Sequence, residues 1–117
     1  MISFSSTQRY FLFRQATDMR KSFDALSALV NVEAGVNVFS GDVFIFINRQ
    51  RNRIKLLIWD RSGFVIYYKR LEEGTFEIPA LKPDEKNLEI KWESLVMILE
   101  GIKLESIRKG KRYTRSD

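Results

Sequence analysis

Residues 43–70, VFIFINRQRNRIKLLIWDRSGFVIYYKR, contain three runs of β-branched and aromatic residues. Such residues favour strands, and the segments between the runs, RQRN and DRSG, are rich in turn-forming residues. The stretch therefore predicts three antiparallel strands that follow one another as a meander.

The facing residues of the second predicted hairpin depend on its turn, and two registers are open. A two-residue loop places Arg53 opposite Arg70. A bulged turn at Gly63 instead places Lys55 opposite Lys69. Directly opposed like charges destabilise a sheet by about 0.2–1 kcal/mol, so we expect a bound phosphate backbone to relieve this repulsion.

A helix is predicted before the meander, from Thr17 to a point before Gly35. Thr17 is suited to cap its first turn, and Asp18 to face the positive end of the helix dipole. Arg20 and Asp24 are expected to pair on the outer face. The apolar stripe on the other face consists of Met19, Phe23, Leu26 and Val30.

Shorter patterns predict further strands and a second helix. The strands are expected at residues 10–13, 75–78 and 88–90, and the helix is expected to begin near Trp92 and to stop at Gly101. The predicted fold is α+β, an antiparallel meander sheet of about four to five strands packed against two helices. We expect a single compact domain over residues 1–102 and a basic, flexible tail over residues 103–117.

Composition excludes several functional classes. The 117 residues suit one domain, and the absence of cysteine and histidine removes disulfides, common zinc and iron sites and the commonest general base. The longest apolar runs have five residues, far below the roughly 18–20 of a membrane span. The N-terminal decapeptide MISFSSTQRY shows no secretory pattern. We therefore expect a cytoplasmic protein that binds no cofactor and no membrane.

Charge is distributed unevenly along the chain, whose net charge is +5. Residues 1–48 are neutral, residues 49–70 carry +6, residues 71–100 carry −5 and residues 101–117 carry +4. Such runs often form only a solvated surface. Clustered cations with a basic balance are also typical of nucleic-acid binding. The candidate nucleic-acid-binding residues are Arg49, Arg51, Arg53, Lys55, Lys69 and Arg70 in the hairpin, with Arg108, Lys109, Lys111 and Arg112 in the tail.

Three of these cations follow an alternating pattern that continues into the predicted strand. Arg49, Arg51 and Arg53 are each separated by one residue, and Lys55 continues the series. In an extended segment this spacing puts all four side chains on one side. The pattern predicts one cationic surface.

An enzymatic alternative comes from Pro83-Asp84 followed by Glu89-Ile90-Lys91, the letters of a PD…ExK metal-dependent nuclease. Only four residues separate Asp84 from Glu89, fewer than two strands usually need to bring such carboxylates together. An acidic surface loop leading into a strand is the alternative interpretation.

Three stretches of the chain match a known pattern: TDMRKSFDALSALV (17–30), FSGDVFIFINRQRNRIKLLIWDRSGFVIYYKRLEEGTFEIP (39–79) and LVMILEGI (95–102). Together they resemble the small accessory protein of insertion-sequence-66-type bacterial transposons, the second open reading frame product often called TnpB. Thr75 and Ile78 depart from the family's pattern, which puts phosphate contacts near Thr75 in doubt.

The resemblance implies a role in transposition beside a separate acidic-triad transposase that cleaves and transfers the strands. It implies no active site, so no catalytic or metal-binding residue is carried over, and we expect no enzymatic activity. The polar residues at matched motif positions are Asp18, Arg20, Lys21, Lys69 and Arg70.

Two functions remain open at this point. The first is a non-catalytic factor that binds transposon DNA through the basic hairpin and assists the transposase. The second is an adaptor that contacts the transposase or another transposon-encoded protein through the acidic residues 71–100 and an exposed strand edge.

Overall fold

A computed structural model describes residues 4–32 and 35–101, which form a five-stranded sheet and two helices. The sheet order is β4-β3-β2-β1-β5. Only β1 and β2 run parallel, because the chain crosses between them through α1; all other pairs are antiparallel. The elements are β1 (Tyr10–Phe13), α1 (Phe23–Asn31), β2 (Val43–Ile47), β3 (Arg53–Asp60), β4 (Gly63–Arg70), β5 (Asn87–Ile90) and α2 (Trp92–Glu100).

The predicted α+β fold is confirmed, with one parallel pair in a sheet that is otherwise antiparallel. The meander is β2-β3-β4, and α2 ends at Gly101 in the left-handed conformation expected of a helix stop. The predicted strand at residues 75–78 is wrong. Phe76 is buried there and its N–H donates to the Arg51 carbonyl at 2.7 Å, but this single bond starts no ladder.

The β3–β4 hairpin adopts the register with the two-residue loop. Asp60 pairs with Gly63, and Arg53 lies opposite Arg70. The alternative pairing of Lys55 with Lys69 is wrong, because Lys55 lies opposite Tyr68.

The two helices cover opposite faces of the sheet. Successive strand residues point to opposite faces, and all five residues of β2 are buried because both of its faces are covered. One core joins Val43, Ile45 and Ile47 to Leu95 and Ile98 of α2. The other joins Phe44 and Phe46 to Leu26 and Val30 of α1.

The N-terminal helix begins later than its sequence pattern predicts. Thr17 is buried and its N–H donates to the Ile47 carbonyl at 2.9 Å, so this segment follows the end of β2 instead of forming a helical turn. Ser22 precedes the first helical residue, Phe23, which is 45% exposed. The expected N-cap at Thr17 is therefore wrong.

Candidate nucleic-acid interface

A polar turn joins β2 to β3 and is organised by one side chain. The Asn48 Oδ1 accepts hydrogen bonds from the backbone N–H groups of Asn52 and Arg53 at 3.0 and 2.9 Å. Its Nδ2 donates to the Asn52 Oδ1 at 2.8 Å. Arg51 has a φ of 58°, which is turn geometry and not extended backbone. The alternating-cation prediction therefore fails for Arg49 and Arg51, and only Arg53 and Lys55 share a sheet face.

An open groove of about 680 Å³ lies between this turn and residues 16–20. Three arginines contribute to its lining: Arg20, Arg49 and Arg53. Asn and Gln side chains of the turn also line it, and they donate and accept hydrogen bonds. The groove combines fixed cations with neutral polar groups, which is the chemistry that contacts phosphate and sugar.

Asp18 is the one acidic residue lining this groove, and it is held by Arg20. The Arg20 Nε and Nη2 donate to the Asp18 Oδ2 at 3.0 and 2.6 Å, and the Arg20 backbone N–H donates to Oδ1 at 2.9 Å. These bonds lower the pKa of Asp18 to about 2 and raise the pKa of Arg20. The predicted pairing of Arg20 with Asp24 is wrong; the partner is two residues before it.

Lys55 is directed into the protein and is only 7% exposed. Its Nζ donates to the carbonyl oxygens of Met19 and Lys21 at 2.8 and 2.7 Å. The ammonium also lies 4.8 Å from the centroid of the Tyr68 ring. In this position the ammonium stabilises the protein backbone and is not presented to solvent.

Lys69 lies on the other face of the sheet from Lys55 and Arg70. Successive residues of β4 point to opposite faces of the sheet, so Lys69 and its neighbour Arg70 lie on different faces. The Lys69 Nζ donates to the Leu99 carbonyl in the last turn of α2. The six hairpin cations therefore do not form one surface. Nucleic-acid binding by each of them stays a prediction.

Arg53 and Arg70 lie opposite each other, as the first register predicts, but a protein group relieves their repulsion. The Arg70 Nε donates to the Glu72 Oε2 at 2.8 Å, and this carboxylate raises the pKa of Arg70. Arg53 Nη1 lies 3.4 Å from the Tyr68 hydroxyl. A bound phosphate is therefore not needed to explain why two arginines face each other.

We define the basic end as the end of the sheet where β2 stops and β3 starts. Within residues 4–32 and 35–101, its arginines fall into two groups. Arg20 and Arg70 are in salt bridges, whereas Arg49, Arg51 and Arg53 have no salt-bridge partner among these residues. Two of these three arginines, Arg49 and Arg53, line the groove, and Arg51 lies between them in the turn.

The remaining candidates lie outside the described residues or away from the groove lining. Arg108, Lys109, Lys111 and Arg112 lie outside the described residues, as does the predicted tail. Asp84 and Glu89 are exposed, and the described part of the chain contains no cluster of three or more acidic residues suited to a metal. None of the described helices is long and apolar enough to cross a bilayer.

Reasoning from residue chemistry alone missed two contributors to the site, Asn48 and the groove position of Arg20. The spacing of Asn48 and Asn52 around RQR was the available signal, since Asn side chains often bond the backbone of their own turn. Arg20 is singled out only by the family resemblance, because its expected helix would have placed it on a separate outer face.

Comparison with known proteins places the chain in a family. The model of the IS66 Orf2 like protein matches residues 8–109. Two relatives come from Sinorhizobium fredii (strain NBRC 101917 / NGR234): uncharacterized protein y4jC is 33% identical over 82 residues, and uncharacterized protein y4hO is 29% identical over 80 residues. These alignments cover 70% and 68% of this chain, and 70% of each relative. No solved structure matches. Because the family model covers most of its length, this chain belongs to the IS66 Orf2-like family of transposon accessory proteins.

Proposed function

We propose that this protein is a non-catalytic factor in transposition that binds the phosphate backbone of DNA with its basic end. Family membership supports the link to transposition. The observation that carries DNA binding is the set of three arginines without salt-bridge partners, Arg49, Arg51 and Arg53, beside an open polar groove.

The groove favours contacts to the backbone of DNA over recognition of bases. Its free cations lie on a turn and at the start of a strand, and neither of the two helices in the described part of the chain lines the groove, as a reader of the major groove would. Arginine forks bind phosphate oxygens in pairs, and neutral amides supply further hydrogen bonds. We infer binding with little sequence preference and strong salt dependence.

Cleavage and strand transfer belong in this proposal to the separate transposase. The chain has no histidine or cysteine, and among the described residues the exposed Asp84 and Glu89 belong to no group of three or more acidic residues that could hold a metal ion. This supports an accessory role, in which the protein holds DNA for the enzyme. Magnesium-dependent cleavage that D84A abolishes would contradict this view.

The direct test compares DNA affinity of two doubly substituted proteins. Arg49→Gln/Arg53→Gln removes two groove cations, and we expect about tenfold weaker binding of a labelled duplex at about 0.1 M salt. The control, Arg61→Gln/Lys91→Gln, removes the same charge from exposed positions at the opposite end of the sheet. Fluorescence anisotropy measures both.

Equal weakening in the two double variants would show that net charge alone governs binding and would contradict a specific basic end. Equal affinity of the wild type and both double variants would show that Arg49 and Arg53 do not contribute to DNA binding. Circular dichroism and thermal unfolding check that each variant keeps the fold.

A second candidate function is the adaptor, and the edge of the sheet favours it. β4 is an eight-residue edge strand, and its first six residues, 63–68, carry no proline or charge that would discourage pairing with another strand. A partner strand could add to this edge. Co-purification with the transposase from nuclease-treated extracts, with no DNA retained by this chain alone, would favour the adaptor over DNA binding.

A further inference from the structure

We propose that Lys55 is a positioning residue for the groove. It fixes residues 17–22, which we call the strap, so that the Arg20 side chain lines the groove where DNA binds. The proposal deepens the DNA-binding function above and rests on it. Lys55 itself contacts no DNA in this account.

The two carbonyl groups bound by Lys55 belong to the residues on either side of Arg20. Lys55 Nζ donates to the Met19 oxygen at 2.8 Å and to the Lys21 oxygen at 2.7 Å. The backbone is thereby held both before and after Arg20, whose side chain lines the groove. The buried ammonium of Lys55 thus fixes the position of the Arg20 backbone, from which the arginine side chain extends into the groove.

Apart from Met19, which is half-buried and packs against the core beneath α1, the strap has few other attachments to the sheet. Its first residue, Thr17, donates its N–H to the Ile47 carbonyl, and α1 begins only at Phe23. Between these points the backbone hydrogen bonds are local, such as the one that the Lys21 N–H donates to the Asp18 carbonyl at 3.1 Å. Loss of the ammonium would therefore leave the packing of Met19 as the main restraint on the middle of the strap.

A lysine suits this position because its ammonium carries three donors. Two are used by the carbonyls, and the Tyr68 ring lies 4.8 Å away. Within the described ranges no carboxylate forms a salt bridge with Lys55. Burying a cation without a carboxylate costs free energy, so its two main-chain bonds point to a role in holding the strap.

Limited trypsin digestion tests the strap without any DNA. Arg20 and Lys21 are both trypsin sites and both are exposed, so cleavage there reports the local freedom of the backbone. We expect Lys55→Met to raise the initial rate of cleavage after Arg20 and Lys21 about tenfold. The matched control is Lys69→Met, which removes a lysine bonded to a main-chain carbonyl on the opposite face. It should leave this rate unchanged.

Equal cleavage of Lys55→Met and wild type would overturn the proposal, as would equal acceleration by both substitutions. If Lys55→Met does not fold, amine acetylation of the wild-type protein tests whether the Lys55 ammonium is held in its buried bonds. Lys55 should then react about tenfold more slowly than the exposed Lys21, and equal reactivity would contradict its buried bonds.

DNA binding supplies the second readout through a double-mutant cycle. Arg20→Gln should weaken duplex binding about fivefold in the wild-type background and less than about twofold in the Lys55→Met background. The same loss in both backgrounds would show that Lys55 does not act through Arg20. If the wild-type protein binds no DNA, the proposed function fails, and the digestion experiment still decides whether Lys55 holds the strap.

Discussion

Asp18 and Arg20 form an exposed ion pair within a single turn of the strap. Their short spacing lets one carboxylate bind both the guanidinium and the backbone N–H of Arg20, which lowers the pKa of Asp18 from 3.8 to about 2. A lowered carboxyl pKa contributes stability that is present above the unfolded pKa and is lost as the pH falls through the folded value. The strap should therefore loosen between about pH 4 and pH 2.

The Asp18 pKa provides a residue-level prediction. Arg20→Gln removes the guanidinium bonds, so the pKa of Asp18 should rise from about 2 toward 3.8. The carboxyl carbon chemical shift followed by NMR against pH measures it. Arg14→Gln is the control, because Arg14 forms no salt bridge in the described residues. An Asp18 pKa near 3.8 in the wild type would contradict the described pair.

Asn48 provides a second prediction at this scale. Asn48→Ala leaves the N–H groups of Asn52 and Arg53 without their acceptor, so the free energy of unfolding should fall by about 1–3 kcal/mol. Denaturant unfolding measures the change. Asn31→Ala, at an exposed position in the last turn of α1, should change it by less than about 0.5 kcal/mol. Equal effects would contradict the role of Asn48 in the turn.

Residue chemistry alone could not predict the role of Lys55. Its charge and its place in a basic block favour a solvent-exposed cation, and most lysines are exposed. Burial follows from a contact across the fold, between β3 and carbonyls about 35 residues earlier in the chain. By contrast, the pairing of Arg53 with Arg70 was one of the two registers that the turn sequence left open, because hairpin register follows from turn length.

At the scale of elements, the meander strands and α2 agree with their predictions, whereas the start of α1 and the strand expected at residues 75–78 do not. The runs of β3 and β4 pair over their full length, since β-branched and aromatic residues continue from end to end. The start of α1 was missed because Met19 fits the helical spacing of Leu26 and Val30. The hydrogen bond of Thr17 to the end of β2 overrides that local pattern.

Two substitutions in α1 test its observed boundary. Leu26 is fully buried, so Leu26→Ala should lower the free energy of unfolding by about 2–5 kcal/mol. Phe23, the first residue of the helix, is 45% exposed, and Phe23→Ala should cost less than about 1 kcal/mol. Chemical denaturation measures both. A larger loss for Phe23→Ala would support the predicted continuous stripe instead of the observed helix start.

Across the whole molecule, the predicted division into a basic and an acidic surface is only partly realised. The basic end does collect several arginines of the hairpin, but Glu72 from the acidic stretch pairs with Arg70 at that same end. Lys69 lies on the other face of the sheet. Counting charges along the sequence predicted that a cationic region exists. Its extent is smaller than the count suggests, because the pleat of β4 turns Lys69 to the other face and Glu72 neutralises Arg70.

The dependence of DNA affinity on salt tests the central proposal most directly. With three arginines free of salt bridges at the basic end, the logarithm of the binding constant should fall with the logarithm of salt concentration with a slope of about −3. Arg49→Gln/Arg53→Gln should reduce the magnitude of that slope by about two, and Arg61→Gln/Lys91→Gln should leave it unchanged. Binding that does not vary between about 50 and 200 mM salt, or no binding at all, would contradict it.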